Sequence, residues 1–336
     1  MNQRLYSIVS KIDAMAKKAY CHLVFILIFV GWVFPAQASD PYPFHNSFFV
    51  NINKTEIHFR HWQPAAAVDQ VRGHCLLLHG FSGSTFSWDG FADSLQQLGF
   101  EVVALDIPPF GYSDKSPQTN QSTTARAALI HDFLEAVFPG KQWHLTGHSM
   151  GGGIAQALVL MFPESFPSVC FVAPTLFSSI RAHDDFDPAL GTDARVRRGN
   201  MLSAWPLRPV AGRLAERFFI TQRRIGNMLE TAYGQQPSHE QIKGYLKPLR
   251  IPGTAAAILA SGRHNKEIAT LDAADLAVPA IAIWGANDTW VPHASRKKAL
   301  EKMPGVQVHI IEEAGHNPME THLEAFMEMW FIVLSL

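Results

Sequence analysis

The stretch Trp143-His144-Leu145-Thr146-Gly147-His148-Ser149-Met150-Gly151-Gly152-Gly153 has the residue types and spacing of a nucleophile site. Strand-like Trp143 and Leu145 lead into Gly-His-Ser-Met-Gly, after which Ile154 to Val159 read as a buried helix. A serine on so sharp a strand-to-helix turn is held in a strained backbone conformation with its hydroxyl exposed. Neighbouring chain comes close there, so Gly147 and Gly151 must lack a Cβ. A serine hydroxyl is a poor nucleophile until a histidine takes its proton. The imidazolium then needs an anion to orient and stabilise it. A pentapeptide of this kind also arises by chance, so its partners decide the matter.

Two partners stand out. Asp288, in Gly285-Ala286-Asn287-Asp288-Thr289, follows the apolar run Ala280 to Trp284, and His316, in Gly315-His316-Asn317-Pro318, follows the run Val306 to Ile311. Each falls on a loop at the C-terminal end of its strand, where open α/β sheets build their sites. Among 16 histidines, His148 adjoins Ser149 but is expected to point elsewhere, held by the turn. His322 lies four residues into a predicted helix and is expected to face solvent. The loop Ala173-Pro174-Thr175 offers no carboxylate. Asp106 also ends a strand, but its segment runs on into Pro108-Pro109-Phe110-Gly111-Tyr112-Ser113-Asp114, which gives it a turn-stabilising role. Acyl transfer further needs donors for a developing oxyanion. The Met150 N–H, at the start of the helix, is one. The Phe81 N–H, in the loop His79-Gly80-Phe81-Ser82-Gly83, is the other. A plain glycine turn is the alternative for that loop, but it falls on the same sheet edge as the other elements.

The elements that must position these residues follow from periodicity. Phe48 to Ile52 and Thr55 to Trp62 alternate apolar and polar residues, as an antiparallel pair does, with Asn53-Lys54 as the turn. His74 to Leu78, Val102 to Ile107, Trp143 to Thr146 and Ser168 to Val172 alternate little, which argues for a parallel sheet covered on both faces. Helices are expected over Thr85 to Leu98, Thr123 to Val137, His293 to Met303 and Pro318 to Leu334. Between Leu176 and Thr270 no strong strand appears, and nine arginines fall between Arg181 and Arg224. That segment reads as solvated helical faces, or as a lid whose apolar side faces the site. An insertion there leaves the sheet edge that carries the candidate residues and must sit over them. Its Phe177, Met201, Trp205, Phe218, Phe219 and Met228 divide between holding such a lid together and lining an acyl pocket with Phe81, Phe86 and Trp290.

With 336 residues, 47% hydrophobic and 17% charged, the chain can bury one large core. A formal net charge of −1 gives no support to nucleic-acid binding or a polybasic membrane surface. At the N-terminus, Arg4, Lys11, Lys17 and Lys18 precede the apolar run Leu23 to Phe34, and Ala36-Gln37-Ala38 follows. These parts read as a cleavable export signal over residues 1–38. The run is short for a span, which needs about 20 apolar residues, and a retained membrane anchor is the alternative. Cys21 precedes the apolar run and does not suit lipidation. Cys75 and Cys170 sit in separate strand-like runs and are expected as buried free thiols. No C-x-x-C or H-E-x-x-H spacing suggests a metal, and no cofactor is expected.

His79-Gly80-Phe81, Asp106 to Ser113, Gly147 to Gly152, the Gly285 to Asp288 loop and Gly315-His316 together resemble the α/β-hydrolase superfamily. The likeness covers about Ser47 to Leu336 and is greatest to lipase/esterase-like members with a helical cap. It implies a mostly parallel eight-stranded sheet with helices on both faces, core residues 39–175 and 271–336, and an inserted helical cap over 176–270. It also implies a Ser149/Asp288/His316 triad and an oxyanion hole from Phe81 and Met150, while the placement of the insertion makes Phe86, Trp205 and Trp290 the expected substrate contacts. Pro109 departs from the glycine such families often carry there, which leaves that loop's shape open. A serine nucleophile argues against dehalogenase and epoxide-hydrolase chemistry. Hydrolysis of a small carboxylic ester, in an exported enzyme, is the expectation. Carbon–carbon bond hydrolysis of carboxylate-bearing diketones and a non-catalytic binding role are the alternatives.

Overall fold

The computed structural model describes residues 42–64, 70–182, 220–260 and 266–335. The expected export signal and cap residues Met201, Trp205, Phe218 and Phe219 lie outside the described residues. Alternation at the start of the chain makes a hairpin, β1 (Ser47–Ile52) with β2 (Thr55–Trp62), turning through Asn53 and Lys54 at φ 50° and 68°. The continuous apolar runs become β3 (His74–Leu78), β4 (Glu101–Leu105), β5 (His144–His148) and β6 (Ser168–Val172). Short strands β7 (Ser179–Ile180) and β8 (Leu271–Asp272) pair with each other on either side of the insertion. The sheet then resumes with β9 (Ala280–Gly285) and β10 (Gln307–Ile311). Its order is β1-β2-β4-β3-β5-β6-β9-β10, eight strands, antiparallel at the first end and parallel from β4 onward.

Helices α1 (Asp89–Gln97), α2 (Thr123–Val137) and α3 (Met150–Met161) cover the sheet. The insertion supplies α4 (Gln222–Tyr233), α5 (His239–Leu249) and α6 (Thr254–Ala260), and α7 (Lys297–Lys302), α8 (Pro318–Thr321) and α9 (Leu323–Trp330) complete the chain. Successive side chains of a strand face opposite layers. Leu76 and Leu78 therefore pack with Phe133, Ile154 and Leu158, while Cys75 and Leu77 pack with Phe91, Phe326 and Trp330. The insertion has a cluster of its own around Ile225, Leu229, Tyr233 and Tyr245. Cys75 and Cys170 are free and buried on β3 and β6, with β5 between them. Burial pushes both thiols' pKa up. No helix among the described residues is long and apolar enough to cross a membrane.

Two expected helices are broken. Thr85–Trp88 is a 3-10 turn ahead of α1, capped by the Ser84 hydroxyl. The C-terminal helix divides at His322, which adopts φ −136° between α8 and α9 and is half-buried rather than solvent-facing. Its Nδ1 lies 2.9 Å from Thr321 Oγ1.

Asp106 organises the loops beneath the site. Its Oδ1 accepts the Thr85 N–H at 2.6 Å, and its Oδ2 accepts the Tyr112 N–H at 2.7 Å and His58 Nδ1 at 2.6 Å. Gly111, at φ +57°, leaves room for this carboxyl, which a Cβ would overlap. The turn that Pro109 enters is thus built around Asp106. Burial opposes the charge, yet His58, His79 and the Tyr112 N–H outweigh it and hold the pKa down, to about 2. A carboxylate whose pKa is depressed from 3.8 to about 2 contributes stability that is full above pH 3.8 and lost as pH falls through about 2. Asp106→Ala should cost about 3 kcal/mol or more at neutral pH, because it strands His58 and two N–H groups. It should also flatten the stability profile across that acid window. Urea unfolding over a pH series reads both, and a loss under about 1 kcal/mol would contradict the role.

Candidate active site

Ser149 follows β5 directly, at φ 52° and ψ −115°, and begins the turn into α3. Backbone bonds hold this strained geometry. The Ser149 N–H donates to the Val172 carbonyl at 2.9 Å, and its own carbonyl accepts the Thr175 N–H at 3.0 Å. Close approach leaves no space on either flank. A Cβ at Gly147 would overlap the Gly151 carbonyl, and one at Gly151 would overlap the Leu78 and His79 carbonyls.

Asp288 and His316 meet on adjacent parallel strand ends, β9 and β10, with His316 Nδ1 2.8 Å from Asp288 Oδ2. Both side chains are nearly excluded from solvent. The other carboxylate oxygen accepts the N–H groups of Trp290 at 2.8 Å and Val291 at 2.9 Å, so the loop itself orients the acid. With Nδ1–H donated to the carboxylate, Nε2 carries the lone pair that can take a proton. His316 is also fixed through its backbone. Its N–H donates to the Ala232 carbonyl of α4 at 2.6 Å, and its carbonyl accepts His148 Nε2–H at 2.9 Å. The Trp290 ring stacks over the imidazole at 5.5 Å. Among the described residues Ser149 Oγ makes no hydrogen bond to His316, a contact that in such sites often tightens only on substrate.

The loop after β3 is shaped by His79. Its Nε2 accepts the Ile107 N–H at 2.9 Å, which leaves Nδ1–H to donate to the Gly80 carbonyl at 2.7 Å. Burial lowers the His79 pKa, consistent with this neutral tautomer. The Gly80 carbonyl also accepts the Gly83 N–H at 3.1 Å. In a trans peptide the N–H points opposite the carbonyl, so tying down the Gly80 oxygen aims the Phe81 N–H away from His79. Among the described residues neither the Phe81 nor the Met150 N–H has a protein acceptor.

Ser149 and His316 open onto one cavity of about 140 Å³, walled by Phe81, Met228, Leu229, Tyr245 and Trp290. The Phe81 ring is half-exposed and leans edge-on against Phe110 at 5.0 Å. Three placements differ from expectation. His148 does not point away: it is buried in the cavity floor, between Gly80 and the His316 loop, with its ring 4.8 Å from that of His316. Burial and neighbouring His316 keep its pKa well below the usual histidine range. Phe86 is not among the described lining residues, because it packs against Tyr245 of α5 at 6.1 Å. Phe177 packs on the core side of α3, where its backbone exchanges hydrogen bonds with Gln156. Trp205 lies outside the described residues. Conversely, no periodicity announces the part that the His79 side chain plays in shaping this loop. Its partners are backbone atoms, the carbonyl of the next residue, Gly80, and the N–H of Ile107 from the loop after β4. Among the described residues no group of three or more His, Cys, Asp or Glu is placed to hold a metal ion.

The crowding at the turn is testable. Gly151→Ala must displace the Leu78 strand end, and should destabilise by about 1–3 kcal/mol. Thermal unfolding and reactivity of Ser149 toward a serine-directed phosphonate should fall together. A variant as stable and reactive as wild type would refute the steric account.

A family model described as alpha/beta hydrolase fold matches residues 73–323. The chain is 25% identical over 259 residues to Lipase 3 of a Moraxella species, covering 75% of this chain and 74% of that protein. It is equally 25% identical over 264 residues to a 2-hydroxy-6-oxononadienedioate/2-hydroxy-6-oxononatrienedioate hydrolase of Burkholderia vietnamiensis, covering 76% and 84%. Among solved structures, a probable hydrolytic enzyme from Pseudomonas aeruginosa PAO1 superposes with a TM-score of 0.65 at 19% identity, over 88% of this chain and 95% of that one.

Proposed function

The chain belongs to the α/β-hydrolase family, and from that premise we propose that it hydrolyses small carboxylic esters through Ser149, His316 and Asp288. The observation that carries this reading is the convergence of Ser149 and a carboxylate-oriented His316 on one cavity. In the reaction His316 Nε2 takes the Ser149 proton as Oγ attacks the ester carbonyl. The carbonyl oxygen gains the negative charge, which the N–H groups of Phe81 and Met150 would bind. Collapse expels the alcohol, protonated by His316. Water, activated by the same imidazole, then releases the acid from Ser149. Asp288 keeps the ring in the tautomer this requires and stabilises its charged form.

Substrate size follows from the cavity. A dry apolar cavity near 150 Å³ takes a benzene-sized ligand, so about 140 Å³ suits a short acyl chain or single ring. Each further buried CH₂ contributes about 0.8 kcal/mol until the space is full. Specificity should therefore rise and then fall along a chain-length series. The alternative, carbon–carbon hydrolysis of a carboxylate-bearing diketone, calls for a cation to receive that carboxylate. Among the described lining residues there is no Lys or Arg, which supports the ester. The arginines from Arg195 to Arg217 lie outside the described residues.

On a p-nitrophenyl ester, Ser149→Ala or His316→Ala should lower kcat by about three orders of magnitude or more, with little change in melting temperature. Asp288→Asn should cost somewhat less, since the histidine keeps a hydrogen-bonding partner but loses its anion. Near-wild-type turnover by the serine variant would sink the assignment, and faster turnover of a diketo acid than of any ester would favour the alternative.

We further propose export, on the strength of the basic stretch, apolar run and Ala36-Gln37-Ala38. Mature protein should begin at Ser39 outside the cytoplasm. Mass spectrometry finding residues 1–38 on exported protein would point to a retained anchor instead.

A further inference from the structure

Glu320 lies one turn beyond His316, on α8, and the proposed reaction does not use it. Three donors enclose its carboxylate. Tyr233 Oη donates to Oε2 at 2.8 Å, while Tyr245 Oη at 2.5 Å and Asn317 Nδ2 at 2.7 Å donate to Oε1. Removal from water pushes the Glu320 pKa up, to about 7, against the pull of these bonds. Burial raises the pKa of both phenols, helped at Tyr233 by Tyr245 and then Glu320 and at Tyr245 by Glu320, so they remain donors. The two tyrosines come from the insertion, at the end of α4 and within α5, whereas Asn317 and Glu320 come from the segment that carries His316.

The same helices wall the cavity. Met228, Leu229 and Ala232 of α4 and Tyr245 of α5 line it, and the Ala232 carbonyl takes the His316 N–H. The position of that wall relative to the imidazole is thus set where α4 and α5 meet α8. Apolar contact alone would let these helices slide. Hydrogen bonds from two phenols to one carboxyl group fix both direction and distance. We propose that Glu320 is a positioning residue, which latches α4 and α5 onto the His316 loop and thereby sets the width of the acyl cavity. This rests on the ester-hydrolase reading.

The test measures kcat and KM on p-nitrophenyl esters from acetate to octanoate, per active site counted by phosphonate titration. The variants are Glu320→Leu, Glu320→Gln and the pair Tyr233→Phe with Tyr245→Phe. In the leucine and paired phenylalanine variants, KM for the preferred ester should rise about fivefold or more, with the chain-length optimum shifted. The kcat per titrated site should fall less than about threefold. Glu320→Gln should recover most of the loss, because its amide oxygen still accepts from Tyr245 and Asn317. A folding defect alone would reduce the number of titrated sites and leave KM unchanged, and that result overturns the latch. So does a glutamine variant as impaired as leucine. Should leucine fail to fold, the phenylalanine pair, which removes only two hydroxyls, decides. A wild type that the phosphonate does not titrate overturns the ester-hydrolase reading, and the latch falls with it.

Discussion

The hydrogen bond between His316 Nδ1 and Asp288 Oδ2, 2.8 Å long and closed to solvent, is the contact the remaining architecture serves. It joins loops that leave two neighbouring parallel strands at the same end. In a parallel sheet all such loops emerge together, so residues far apart in sequence meet without any strand having to bend. An imidazole tethered only by its side chain would still pivot. Here its carbonyl, its N–H and its ring face are also held, by His148, Ala232 and Trp290 respectively. Those three come from β5, the insertion and the acid's own loop.

The strained turn at Ser149 needs equal support. A non-glycine residue at φ 52° costs about 1–3 kcal/mol, and the chain offsets this with bonds from both faces of the turn. Val172 and Thr175, at the end of β6, take its N–H and give to its carbonyl. The sheet core makes those anchors rigid: residues of β3 to β6 are buried on both faces, apart from the half-buried strand starts His74 and His144. Two close-packed layers of side chains, one built around Phe133 and Leu158 and one around Phe91 and Trp330, leave the strand ends little freedom.

What the sequence made legible is what obeys a local rule. The apolar runs of β3 to β6 and β9 announced a doubly covered parallel sheet. The glycines around Ser149 announced a turn too tight for a Cβ, and Asp106 read as a turn-holder. What it hid depends on long-range polar contact. His148 looked like an idle neighbour of Ser149 because its partner, the His316 carbonyl, lies 168 residues away. His79 serves two backbone groups, of Gly80 and Ile107, and no side-chain pattern encodes either. Phe86 read as a pocket residue since it sits on the correct loop, but a half-buried ring there is better satisfied by the edge of Tyr245. Helix breaks were equally hidden: His322 belongs to an apolar-periodic stretch, and only φ −136° at that residue divides it.

These polar contacts also divide the labour between core and insertion. Groups that would form and break bonds sit on the sheet ends, where the two core layers fix them. Most of the apolar wall that would meet an acyl chain belongs to α4 and α5, which have a small cluster of their own. A surface with so few core contacts can change residue by residue without disturbing the sheet. It can do so only if its distance from the imidazole stays constant. Apolar packing is non-directional and cannot guarantee that distance, whereas hydrogen bonds can. That is the physical reason the seam between α4, α5 and α8 is polar, with two tyrosines, an asparagine and a carboxyl group hydrogen-bonded across it.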